Sequence, residues 1–152
     1  VCSSESLSFL QPFRSPEKIE QAAAILERFA IAQHARRRVA ELAGGVRKLL
    51  DIALALTHRP KLLLLDEPTS GVSVEEKLPL MDTLMAALDE GDAAAGNGAK
   101  TTVLFVEHDM EVVTRYAGRV VAFYSGRVLA DGAPATVLSD ADVRRHVTGA
   151  EA

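Results

Sequence analysis

The sequence has no tryptophan and a single cysteine, Cys2, in 152 residues. A lone cysteine cannot close an internal disulfide, so nothing in the chain calls for an oxidising compartment. Aromatic residues make up only 5%, which leaves the core to aliphatic side chains. No apolar run approaches the roughly 18 residues of a membrane-crossing helix. No basic-then-apolar segment of the secretory kind follows Val1, and a first residue other than Met reads as a processed or shortened start. A basic excess is missing too: 17 Lys and Arg against 21 Asp and Glu give a net charge of −4. That argues against a general nucleic-acid binder, local basic patches aside. What remains is ordinary for a globular chain, 48% hydrophobic and 25% charged, which excludes wholesale disorder. The length fits one domain or a large part of one.

Residues 1–14 are Ser-rich and read as irregular. Ser15-Pro16 starts a helix, a hydroxyl cap followed by proline at the first helical position. Ile19, Ala22, Ala23, Leu26, Phe29 and Ala30 keep helical spacing to about Phe29. After the Arg36-Arg37-Arg38 connection, a second helix opens at Gly44-Gly45, with an expected apolar face of Val46, Leu49, Leu50, Ala53, Leu54 and Leu56. Pro60 ends it. Leu62 to Leu65 is a short continuous apolar run, which suits a strand of a parallel sheet buried on both faces. Ser73 and Glu76 form a capping box for a third helix, in which Pro79 marks either a kink or the true start. Residues 91–100, rich in Gly and Ala, read as a loop. Thr102 to Val106 is a second buried strand, and Asp109 caps a short helix. Val120 to Tyr124, Ser125-Gly126 and Arg127 to Ala130 form a hairpin, and a helical tail follows from Ala135. The alternation of helix and strand is the α/β pattern.

The chemistry concentrates at strand ends. The four-leucine run ends in Asp66-Glu67-Pro68. Adjacent carboxylates repel and resist desolvation, so a buried strand gains nothing structural from them. A Mg²⁺ ion and a water to be oriented or deprotonated give them a use; solvated charges at a strand end are the plainer alternative. Gly44-Gly45 opens a helix, where free N–H groups and the helix dipole favour an anion, or it is a simple turn. His108 follows the second strand in Glu107-His108-Asp109 and is either a phosphate donor or a structural histidine.

Order and spacing together resemble the ATP-binding cassette ATPases over nearly the whole chain. Leu42 to Lys48 resembles that family's signature motif, Leu62 to Glu67 its Walker B strand, Ser70 to Ser73 its D-loop and His108 its switch histidine. The wording Val103 to Met110, the hairpin Phe123 to Gly132 with Pro134, and Asp66 to Ser73 beside an unorthodox signature resemble the ATPase subunits of branched-chain amino acid importers. The resemblance implies an α/β P-loop NTPase (RecA-like) core with a parallel sheet, truncated, plus part of the helical signature subdomain. It divides the chain into a helical subdomain at 1–60, an α/β core at 61–134 and a helical tail at 135–152. It implies ATP and Mg²⁺ as cofactors, with Asp66 organising the metal, Glu67 as base on the attacking water and His108 at the γ-phosphate. Leu42, Ala43, Gly44 and Gly45 address the ATP of the opposite subunit, and Ser70, Gly71 and Ser73 form the D-loop. The implied partners are a second ATPase subunit and transmembrane permease subunits, with no nucleic acid, at the inner face of the cell membrane.

The sequence also departs from that family. None of the ten glycines is followed by lysine, so the Gly-Lys-Ser/Thr of a P-loop is missing. The expectation is therefore the C-terminal part of a longer ATPase, inactive by itself. Ala43 stands where a serine is usual, Val46 where a polar residue is usual, and Ser73 where an aspartate is usual. Two alternatives stay open: a folded, non-hydrolysing interaction fragment, and a soluble cassette ATPase acting on DNA or ribosomes.

Overall fold

The structure, a computed structural model, describes residues 15–95 and 100–149. The irregular segment expected at 1–14 lies outside the described residues. Helix α1 spans Pro16–Arg28, capped by Ser15, whose hydroxyl accepts from the Lys18 N–H at 3.4 Å. It delivers Phe29 and Ile31 into the core. The arginine-rich connection carries two 3-10 turns, Ala32–His34 and Val39–Glu41.

Helix α2 runs Gly44–Leu56 and buries Leu49, Ile52, Ala53 and Leu56. Leu54, expected inward, is 59% exposed. Positions 49, 52, 53 and 56 follow the i, i+3, i+4, i+7 rule, and residue 54 falls off that stripe.

Strand β1 (Leu62–Asp66) pairs in parallel with β2 (Thr102–Val106), Leu62 opposite Thr102 and Asp66 opposite Val106. Helix α3 (Val74–Ala95) is the crossover between them, as a parallel connection requires. α3 begins after Ser73 and not at Pro79. The Ser73 carbonyl accepts from Glu76 and Lys77, while its hydroxyl donates to the Glu76 carboxylate at 3.0 Å. The expected capping box thus closes side chain to side chain. The Gly/Ala-rich stretch is helical as far as Ala95, and 96–99 lie outside the described residues. Gly91 serves packing here: the Arg28 guanidinium lies where a Cβ would project, and Arg28 Nε donates to the Ala87 carbonyl. Asp92 then accepts from the N–H and hydroxyl of Thr101 at the entry to β2.

The strands are covered on one face. Leu63 is buried, and Leu65, Val103 and Phe105 pack against a cluster of Phe29, Leu49, Ile52, Leu80, Met81, Leu84 and Val112. Leu62, Leu64, Leu104 and Val106 are 52 to 64% exposed. Burial on both faces is therefore not seen among the described residues. Strand alternation sends every second side chain away from the helices, and the core helices all lie on the Leu63 side.

Helix α4 (Met110–Tyr116) docks on α3. The Tyr116 hydroxyl lies 2.7 Å from Asp82 Oδ1 and 3.0 Å from the Leu78 carbonyl. One phenolic proton cannot serve both fully, and the shorter, charge-assisted contact to Asp82 is the stronger. Arg115 grips the same carboxylate. A hairpin follows, β3 (Val120–Tyr124) and β4 (Arg127–Gly132), two residues longer than the sequence suggests. Its turn, Ser125-Gly126, has φ of 47° and 74°, the twist that suits a two-residue hairpin. Helices α5 (Pro134–Ser139) and α6 (Ala141–Val143) seal a second small core of Ala122, Val137 and Val143.

Two outcomes are expected from this packing. The open face of β1 and β2 should make the chain self-associate; Leu64→Lys should weaken that association without lowering the melting temperature, as sedimentation and thermal melts will read. Burial, then the hydrogen bond to Asp82, pushes the Tyr116 phenol up to about 12 from 10.0. Since the folded value is raised, its stabilisation is full below pH 10 and is lost as pH rises through about 12. Ultraviolet titration should show this late ionisation, and Tyr116→Phe should abolish it at a cost of about 1 kcal/mol.

Candidate functional site

The site is built at the carboxyl tips of β1 and β2, the edge at which open α/β sheets bind ligands. Asp66 ends β1 on the open face, exposed and opposite Val106. At Glu67 the chain turns sharply: φ is +44°, a left-handed conformation that costs a non-glycine residue on the order of 1 kcal/mol. Three hydrogen bonds hold that turn. The Glu67 N–H donates to the Val106 carbonyl at 2.9 Å, and the Glu67 carbonyl accepts from the Ser70 N–H at 3.0 Å and from Lys48 Nζ at 2.8 Å.

His108 Nδ1 lies 3.4 Å from Glu67 Oε1, with the side chains 69% and 48% exposed. These two groups, forty-one positions apart in the chain, meet in water-accessible space. Together with Asp66 they place a carboxylate, a second carboxylate and an imidazole along one sheet edge, a set able to accept a proton from water and to address phosphate oxygens.

The Gly-Gly helix start comes to the same loop. A Cβ on Gly44 would stand 3.3 Å from the Gly71 carbonyl oxygen, so glycine permits this approach. Gly71 itself has φ of +74°. Ala43 provides no side-chain cap for α2, which leaves the first N–H groups of that helix without a side-chain acceptor. Ala43 is exposed, Gly44 and Gly45 are half-buried, and Ser70 and Ser73 are exposed on the adjoining loop. Leu42 differs: it is 8% exposed and faces a cavity of about 170 Å³ with Leu26, Ile31, Val39, Val46 and Leu50. Any contact of position 42 with an anion falls to its backbone.

Four residues were not singled out from the sequence as site residues. Thr69 is 1% exposed, and its N–H and hydroxyl both donate to Glu107 Oε1, at 2.9 and 2.7 Å. Glu107 Oε2 is buried with no hydrogen-bond partner among the described residues. Period-two alternation carries a signal for Glu107, since inward Val103 and Phe105 make 107 the next inward position. Lys48 closes the signature-like stretch Leu42 to Lys48, but its contact with the Glu67 carbonyl is tertiary and has no local sequence signal. Lys77 Nζ donates to Asp109 Oδ2 at 2.7 Å, and Asp109 caps α4 through the Glu111 and Val112 N–H groups. The Asp109 hydrogen bond lifts Lys77 above the usual lysine range, and the reciprocal bond from Lys77, with the capped N–H groups, holds Asp109 below the usual carboxylate range. Because the folded value of Asp109 is depressed, its contribution is present above the ordinary carboxylate value and lost as pH falls through the folded one. Asp109→Ala should cost about 1 kcal/mol at neutral pH, and the difference from the parent should vanish in strong acid, as denaturant melts at both pH values will measure.

The ABC transporter family matches this chain over residues 3–70. The high-affinity branched-chain amino acid transport ATP-binding protein LivG of Salmonella typhimurium is 35% identical over 133 residues, 88% of this chain and 49% of LivG. The cobalt import ATP-binding protein CbiO of Rhodobacter capsulatus is 40% identical over 123 residues, 81% of this chain and 40% of CbiO. The phosphonates import ATP-binding protein PhnC of Nitratidesulfovibrio vulgaris is 31% identical over 140 residues, 88% of this chain and 50% of PhnC. Among solved structures, the ADP conformation of an ATP-binding cassette of an ABC transporter superposes with a TM-score of 0.71 at 28% identity, covering 91% of this chain and 52% of that one. The chain thus spans about half the length of the curated relatives it matches.

Proposed function

We propose that this chain, which belongs to the ATP-binding cassette ATPases of the ABC transporter family, provides the water-activating edge of an ATP-driven importer. One observation carries the reading: Glu67 and His108 meet at 3.4 Å, exposed, beside Asp66 at the tips of a parallel strand pair. In the proposed reaction Glu67 accepts a proton from a water as its oxygen bonds to the γ-phosphorus. The bond to the β–γ bridging oxygen breaks and ADP leaves with that electron pair. His108 donates to a γ-phosphate oxygen and stands against Glu67. The N-terminal N–H groups of α2 at Gly44 and Gly45, with Ala43 and the backbone of Leu42, address the nucleotide of a second subunit. Ser70, Gly71 and Ser73 line the passage between the two.

The donor set suits Mg²⁺ held chiefly by phosphate and water. Asp66 offers one exposed carboxylate, and no group of three or more ligating side chains occurs among the described residues. Mg²⁺ ordinarily takes one or two carboxylates and keeps its remaining places for water and phosphate. When bound, the cation neutralises charge on the transferring phosphoryl group.

The similarity to LivG, and to BraF of Pseudomonas aeruginosa at 34% identity, supports branched-chain amino acids as the cargo. The phosphonate and cobalt relatives make that the finer part of the proposal. The partners are a second ATPase subunit and permease subunits, at the cytoplasmic face of the membrane. Among the described residues no helix is long and apolar enough to cross a membrane. In this division into 1–60, 61–134 and 135–152, the described residues of the first part serve as the signature-bearing helical part, those of the second as the α/β core and those of the third as a helical tail. With no Gly-Lys pair in its sequence, the chain by itself is expected to show no turnover, so the reaction belongs to the complete protein.

Glu67→Gln in that complete protein should lower phosphate release at saturating ATP by about 10²–10⁴-fold. Mg-ATP binding should persist, because Asp66 is untouched. A rate within about threefold of the parent is far less than loss of a general base predicts and removes Glu67 from the catalytic role.

A further inference from the structure

We propose that Glu107 and Thr69 act as one positioning unit, which sets the loop 67–71 against the tip of β2 so that the Glu67 and His108 side chains meet. The inference rests on the hydrolytic reading above and extends it to two residues with no reactive part.

Glu107 and His108 are consecutive at the end of β2, and the strand's alternation sends them to opposite sides, Glu107 half-buried and His108 exposed. The inward carboxylate fixes the outward imidazole: whatever holds Glu107 sets the backbone from which His108 projects. In the loop that follows β1, Thr69 stands two residues beyond Glu67 and is fully buried. Its N–H and hydroxyl converge on the same Glu107 oxygen. A single acceptor taking two donors from one residue fixes both the position and the orientation of that residue's backbone. The backbone bond from Glu67 N–H to Val106 O joins the tips at one level, and the Thr69–Glu107 pair joins them again, two residues further along after β1 and one residue further along after β2. Between these two ties lies the left-handed turn at Glu67, a conformation that persists only when its surroundings over-determine it.

The unpartnered Oε2 points the same way. A buried carboxylate oxygen without a hydrogen bond costs the chain its desolvation. A residue placed only for stability is better served by an apolar side chain at this inward position, in line with Val103 and Phe105. The carboxylate is retained for the one oxygen that Thr69 uses.

The test uses the complete protein with Thr69→Val, Thr69→Ser, Glu107→Gln and the pair Thr69→Val with Glu107→Gln. Valine keeps the shape of threonine and lacks the donor; serine and glutamine keep the donor and the acceptor. Thr69→Val should lower kcat by about tenfold to a hundredfold, the scale of a small misplacement of reacting groups. KM for Mg-ATP should stay within about twofold, since nucleotide-binding groups are untouched. Thr69→Ser and Glu107→Gln should each retain kcat within about threefold, and the pair should cost no more than Thr69→Val alone. A purely structural role instead lowers the melting temperature and leaves kcat per folded molecule unchanged. Glu107→Ala supplies a reading free of turnover: amide exchange at Thr69 should accelerate at least tenfold. A folded Thr69→Val protein with parental kcat, or unchanged exchange at Thr69 in Glu107→Ala, overturns the proposal. Glu67→Gln run in parallel separates the two readings. If it retains full turnover, the catalytic assignment fails; if it is inactive while Thr69→Val is not, only the positioning unit fails.

Discussion

The parallel pairing of β1 with β2 is the constraint on which the rest depends. Its register puts Asp66 opposite Val106, so the two chains leave the sheet side by side and their next residues, Glu67 and Glu107, emerge at one edge. A slip of one residue would exchange the faces of every side chain on the slipped strand. A slip of β2 would turn Glu107 outward and His108 into the core; a slip of β1 would place Leu62 and Leu64 where Leu63 and Leu65 now pack. The apolar pattern of the strands and the chemistry of their tips are thus fixed by one alignment. That alignment is secured because Leu63, Val103 and Phe105 find partners on the helix side.

The same alternation leaves the opposite face costly. Full burial of a leucine or valine is worth roughly 1.5–3 kcal/mol. Four such residues left 52 to 64% exposed therefore forgo several kcal/mol, the same order as the whole stability of a typical domain. The helix-side core offsets this through long-range packing: α1, α2, α3 and α4 each contribute to one cluster around Met81 and Leu84. The polar ties between α3 and α4, at Asp82–Tyr116 and Lys77–Asp109, fix the orientation of the short helix α4 where seven residues of apolar stripe alone would fix it loosely.

Much of this was legible in the sequence, for reasons that differ by element. Helix α1, the strands and the hairpin are written in local signals: Ser15-Pro16, β-branched runs, Ser125-Gly126. The placing of Asp66-Glu67, the glycines and His108 was legible because they follow apolar strand runs or open a helix, at the edge where open α/β sheets bind ligands. The failures are all tertiary. Gly91 looked like a loop residue because its reason, the Arg28 guanidinium lying over it, comes from sixty-three positions upstream. Leu54 looked inward because a leucine-rich helix hides which stripe is chosen. The bare face of the sheet could not be read from Leu62 to Leu65, since a continuous apolar run says that both faces are greasy and not what stands against each.

A local rule is broken at Glu67, a bulky non-glycine residue in a left-handed turn. Glycine there would relieve the backbone, as it does at Gly71, and would delete the carboxylate. The strain and the carboxylate come as one choice. The reversed φ, held by Val106 from the sheet, Ser70 from the loop and Lys48 from α2, brings the carboxylate back over the edge to within 3.4 Å of His108. One local contact, Ser70, and two distant in sequence, Val106 and Lys48, hold that residue in its conformation. The acidic tip is therefore assembled by the finished fold, and the α2 helix that begins at Gly44-Gly45 takes part in holding it through Lys48.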